Sequence, residues 1–157
     1  MAVTTNFNPG TIAESRARNI DSNVADEVVN YGKGLMYQGV GVADFDGTTE
    51  QEFAGIALES TKPGHDDEQY DAGEDVSTLR KGIVWVVVDE DSDGVEKGDN
   101  VALMPSGDFD VEKDGGGSTG DYALNIKNAE FKSDAAAGEV VKLEVNGPAN
   151  VEEVQLA

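Results

Sequence analysis

A chain of 157 residues is one domain's worth of protein, and its 32 Asp and Glu against 11 Lys and Arg give a formal charge of −21. That excess excludes unaided binding to a nucleic-acid backbone, where each phosphate contact needs a cation, and it disfavours docking on an anionic membrane. With no cysteine there is no disulfide framework, thiolate nucleophile or Cys-based zinc site.

A composition of 38% apolar but only 6% aromatic residues allows a core of modest size. Nineteen glycines and three methionines point to many turns, and so to an all-β chain. No apolar run approaches the roughly 20 residues needed to span a bilayer. Met1-Ala-Val-Thr-Thr-Asn6 lacks the basic-then-apolar layout of a signal peptide. The expectation is a soluble chain made in a cytoplasm. The carboxylates run from Glu14 to Glu153 and are not gathered in a tail, so the negative charge belongs to the whole surface. Two readings fit: a protein working in high salt, where self-repulsion is screened, or an acidic protein that simply stays soluble.

In chain order, residues 1–22 differ from the rest. Met1 to Gly10 is polar apart from Phe7 and ends in the turn pair Pro9-Gly10. Ile12, Ser15, Arg16 and Asn19 fall at helical spacing, which predicts a short helix over 11–21 with a thin apolar face. Arg16 and Arg18 are two of the three arginines in the chain. This segment reads either as a frayed terminus or as an N-terminal arm that orders on a partner. The β domain is then residues 23–157.

From Val24 onward, short strands alternate with turn clusters. Leu35 to Val42 reads as one strand closed by Asp44-Phe-Asp-Gly47. Phe53 to Leu58 is the next, and 61–73 reads as an acidic loop. Gly82-Ile-Val-Trp-Val-Val-Val-Asp89 is the strongest element, a central strand buried on both faces with Trp85 inside. Strands over 101–104, 109–111 and 122–131 follow, the last placing Tyr122, Leu124 and Ile126 on one face. Val141, Leu143 and Val145 alternate cleanly with Lys142, Glu144 and Asn146. A final edge strand is expected over 151–156. Eight to ten strands without a long helix predict a single compact β-sandwich or barrel, jelly-roll-like, with an extended N-terminal arm.

Catalytic signatures are weak. The single histidine, His65, lies among Asp66, Asp67 and Glu68 and reads as solvated surface. There is no Gly-x-Ser-x-Gly elbow, and with 32 carboxylates, acidic pairs arise by chance. Asp89, Asp91 and Asp93 with Gly94 match the opening of a calcium loop, but Asn100 stands where a bidentate Glu belongs and the segment before them is a strand. They read as a solvated hairpin turn or as a weak cation site. Asp114-Gly-Gly-Gly-Ser-Thr-Gly120 has no Lys and no following helix, so it cradles no phosphate. No catalytic residue, resident metal or cofactor is expected.

Gly55-Ile-Ala-Leu-Glu59, then Ala72 through Val86, Val95-Glu-Lys-Gly-Asp-Asn-Val101 and Ala136 through Val145 follow one another in an order that resembles the tailed-phage capsid cement, or decoration, proteins. The resemblance covers residues 35–146 and departs from the family pattern in the acidic loop 61–71 and the insert 106–121. It implies a non-enzymatic virion protein on the outer surface of an icosahedral capsid, binding the major capsid protein and itself as a homotrimer. Such a protein clamps neighbouring subunits against internal genome pressure. The low pI points to a virus of a salt-loving host, haloarchaeal or another halophile. On this reading Phe7, Ile12, Arg16 and Arg18 form a capsid-binding arm. The competing expectations are a secreted or surface carbohydrate- or cation-binding β-module and, behind it, a small acidic hydrolase.

Overall fold

The computed structural model describes residues 8–60, 68–118, 120–147 and 151–156, with the side chains of 15–17 outside the description. Phe7, His65 and most of the acidic loop therefore lie outside the described residues. The described chain is all β. Twelve strands run in order: β1 (Ile12–Val24), β2 (Val29–Asn30), β3 (Gly34–Gln38), β4 (Gly41–Asp44), β5 (Phe53–Ala57), β6 (Gln69–Tyr70), β7 (Asp75–Val87), β8 (Asn100–Leu103), β9 (Phe109–Val111), β10 (Tyr122–Phe131), β11 (Val140–Asn146) and β12 (Val151–Gln155). No helix among them is long and apolar enough to cross a membrane.

Ten strands make one sheet in the order β4-β3-β5-β7-β11-β10-β8-β9, with β1 paired to β7 and β12 to β10. The sheet curls until its far edge returns to the end of β7, where the Asp89 N–H donates to the Phe109 carbonyl at 2.8 Å. Inside the curl, Val84, Val86 and Val88 of the β7 region meet Val141, Leu143, Val145, Phe109, Phe131 and Leu124. The β11 alternation holds as expected, with its three apolar residues wholly buried and Asn146 exposed.

A second, smaller core lies beneath β3, β4 and β5. It joins Leu35, Val42 and Val76 to an edge-to-face pair of Tyr31 and Tyr70, ring centroids 5.2 Å apart. β2 and β6 form a two-stranded ladder over it. The sequence reading left Gln69 and Tyr70 in a loop. In fact Tyr70 is buried and its hydroxyl donates to the Leu58 carbonyl at 2.6 Å, which fixes the end of the acidic segment to the core.

Three further expectations change. The segment 11–21 is not a helix: from Ile12 it is a strand, because the edge of β7 offers a ladder that a helix with so thin an apolar face cannot match. The run 35–42 is two strands joined by Gly39 and Val40, where Gly39 supplies a φ of +56° for the reversal. Beside it, a side chain at Gly41 would collide with the Val24 carbonyl, so the hairpin end and the end of β1 sit in direct contact. Lastly, Trp85 is half-buried and not inside: its ring lies on the outer face of β7 with the Lys142 ammonium 5.6 Å from its centroid.

Candidate functional site

Ile12 opens β1, stands opposite Val84 and packs partly buried against the main core. Beyond Glu14 the register slips: residues 15–18 face only Gly82 before pairing resumes at Asn19 opposite Lys81. Both arginines thus fall on a wide bulge. Arg18 is exposed and passes over Gly82, its Cβ 3.2 Å from where a Gly82 side chain would begin. It makes no ion pair with any described residue, whereas Arg80 is held by Asp21 at 3.0 Å. Glycine at 82 leaves the room that the bulge occupies. Of the four expected contact residues, the structure therefore places Ile12 in the sheet and Arg18 in solvent, the Arg16 backbone on the same bulge, and leaves Phe7 undescribed.

The Asp89 turn is built differently from a cation loop. Asp89 is buried, and its carboxylate accepts from Ser106 Oγ at 2.7 Å and from the Asp91 N–H at 3.2 Å. Asp91 and Asp93 point into solvent. Next to Asp89, Asp108 takes the Lys33 ammonium at 2.9 Å, and Asp110 takes Lys113 at 2.7 Å and Ser92 Oγ at 2.7 Å. Burial raises the Asp108 carboxyl above its ordinary value, with Lys33 opposing and the Asp89 and Glu90 charges adding to the rise. Among the described residues no three Asp, Glu or His converge as a cation would need. These carboxylates hold loops onto the curled sheet. A cleft of 520 Å³ beside Lys33, Tyr31 and Asn30 has its one ammonium already held by Asp108.

One surface feature escaped the sequence reading. The large hydrophobics exposed among the described residues are Ile20, Val24, Val28, Tyr37 and Val40, and all lie between positions 20 and 40. Ile20 and Val24 share the outer face of β1, since the register from 20 to 24 is regular. The turn 25–28 is tied to the β3–β4 hairpin by the Asp26 N–H donating to the Val42 carbonyl at 2.8 Å and by Gln38 Nε2 donating to Asp26 at 3.0 Å. Val24 and Val28 are thereby held beside the hairpin that carries Tyr37 and Val40. Periodicity could not reveal this, because the burial of a valine depends on which neighbours the topology brings.

The described residues form a curled all-β scaffold with polar knots, a bulged cationic edge and an exposed apolar end, surfaces suited to binding. Comparison with known proteins agrees. The family model for "Structural cement protein (E217 gp24/Pam3 gp6)" matches residues 3–146, and the chain belongs to that phage cement family. It is accordingly a structural, capsid-associated protein. A chain of the solved structure "The capsid of Myoviridae Phage XM1" shares the fold with a TM-score of 0.67 at 17% identity, over 92% of this chain and 94% of that one. No curated protein sequence matches significantly.

Proposed function

We propose that this protein binds the outer surface of an icosahedral phage or virus shell and stabilises it, without catalysis, by clamping neighbouring major capsid subunits. The family match over residues 3–146 carries the reading. Three copies around each local threefold position is the arrangement that the sequence resemblance implies. Contact runs through the N-terminal segment: Phe7 and Ile12 supply apolar surface, and Arg16 and Arg18 meet acidic groups of the shell. What supports the cationic part is that Arg18 is exposed, with no ion pair to any described residue, in a chain of charge −21. Such a charge is itself suited to a virus of a salt-rich host.

The test uses undecorated shells assembled from the cognate major capsid protein. Added protein is expected to co-sediment with them in multiples of three and to raise the temperature at which they fall apart. Changing Arg16 and Arg18 together to Ala is expected to weaken binding about tenfold, by loss of two charge-assisted contacts. Shells that melt unchanged with the protein bound overturn the clamp; decoration that the double variant matches overturns the role of the arginines.

A further inference from the structure

The exposed apolar end has no explanation in folding. Val40 is 94% exposed at the tip of a two-residue turn, where a β-branched side chain gains nothing from the turn itself. Val24 abuts the same hairpin end, Val28 follows in the turn tied to it, and Tyr37 lies on the face of Leu35 and Val42. The scaffold beneath is firm. Val24 is locked against Gly41, the Ala25 N–H donates to the Glu74 carbonyl at 2.8 Å, and the Gly73 N–H returns to the Ala25 carbonyl at 2.8 Å. Exposed apolar side chains brought together on a hydrogen-bonded backbone are the form that a protein-binding surface takes.

The rim identifies the partner. Asp26, Glu27 and Asp75 lie beside these side chains, all exposed and none in an ion pair with a described residue. A two-fold, head-to-head pairing of copies through this end would bring the same carboxylates against themselves. We propose that this end docks into an apolar depression ringed by Lys and Arg on a capsid subunit. It is distinct from the arginine-bearing bulge: Arg18 and Val24 are six residues apart on β1, about 20 Å at strand rise. Two contacts of opposite sign on one rigid strand would let a single copy hold two places on the shell. The inference deepens the shell-binding reading and rests on it.

The experiment measures binding to the same undecorated shells for the full chain and for Val40→Ser, Val28→Ser/Val40→Ser and Val40→Ile. Both valines are exposed, so all variants are expected to keep the wild-type circular dichroism, melting temperature and oligomeric state. Val40→Ser is expected to bind about tenfold more weakly, the double variant further still, and Val40→Ile as wild type. Raising salt from about 0.1 to about 0.5 M is expected to weaken wild-type binding as the rim charges are screened. Val40→Ser binding at wild-type strength overturns the proposal. Loss of oligomerisation in Val40→Ser, measured by sedimentation equilibrium, also overturns it and assigns the face to a second copy. If the wild type itself leaves the shells undecorated, the shell-binding reading falls and this one falls with it.

Discussion

Thr78 is wholly buried beside Gly55, and its hydroxyl has no hydrogen-bond partner among the described residues. An unsatisfied buried hydroxyl opposes folding by about 1 to 3 kcal/mol, so Thr78→Val is expected to raise stability by about 1 kcal/mol in urea unfolding. Asp44 carries a related burden. It accepts from Asn30 Nδ2 at 2.8 Å, yet burial dominates and raises its carboxyl above the ordinary value. The folded protein then binds that proton more tightly than the unfolded chain, so the ionised form weighs against folding at neutrality. The penalty lifts as pH falls through the raised value, and Asp108 acts in the same direction. The melting temperature is expected to rise as pH drops from 7 toward the carboxylate range, and part of that rise should vanish in Asp44→Asn. Trp85 shows how exposure scales an effect. Leu143 is fully buried and its change to Ala should cost about 3 to 4 kcal/mol, whereas Trp85→Ala, with one face in solvent, should cost about 2.

At the level of elements, β1 changes what a truncation means. Its pairing with β7 from Ile12 to Val24 is part of the sheet, so deleting residues 2–20 is expected to lower the melting temperature sharply. Deleting residues 2–7 spares every β1 pair and isolates any role of Phe7. Equal melting temperatures for the two deletions would contradict the importance of the β1 ladder. The strands that sequence made legible were those with one clear face, β11 above all, or an unbroken β-branched run such as 83–88. β1 was illegible because its helical spacing and its strand pattern are both weak, and a bulge of four residues hides the period of two. β2 and β6 are two residues each, too short for any period, and exist because Tyr31 and Tyr70 meet above the second core. The candidate contacts followed the same rule. The arginines were visible as charge out of place, but the apolar end depends on three separated segments meeting.

For the molecule as a whole, charge is the variable that sequence and structure treat differently. The eight ion pairs among the described residues use Lys or Arg at only six positions, against 32 carboxylates in the chain. With 11 Lys and Arg in the chain, most of the negative charge has no cation to pair with. Self-repulsion spread over the surface acts against the compact state and is long-ranged at low ionic strength. At about 1 M salt the Debye length falls to about 3 Å, shorter than the spacing of most surface carboxylates, and the repulsion is extinguished. Local pairs such as Lys33 with Asp108 lose less, being partly buried. Repulsion among many sites therefore outweighs the few attractions that salt also weakens. The melting temperature is expected to climb from about 0.1 M to about 3 M KCl, most steeply below about 1 M, where screening changes fastest. Sodium sulfate at matched ionic strength separates screening from solvent exclusion, since only the second strengthens apolar burial beyond the plateau. A melting temperature flat or falling over that range would mean that the dispersed carboxylates are not what limits this fold.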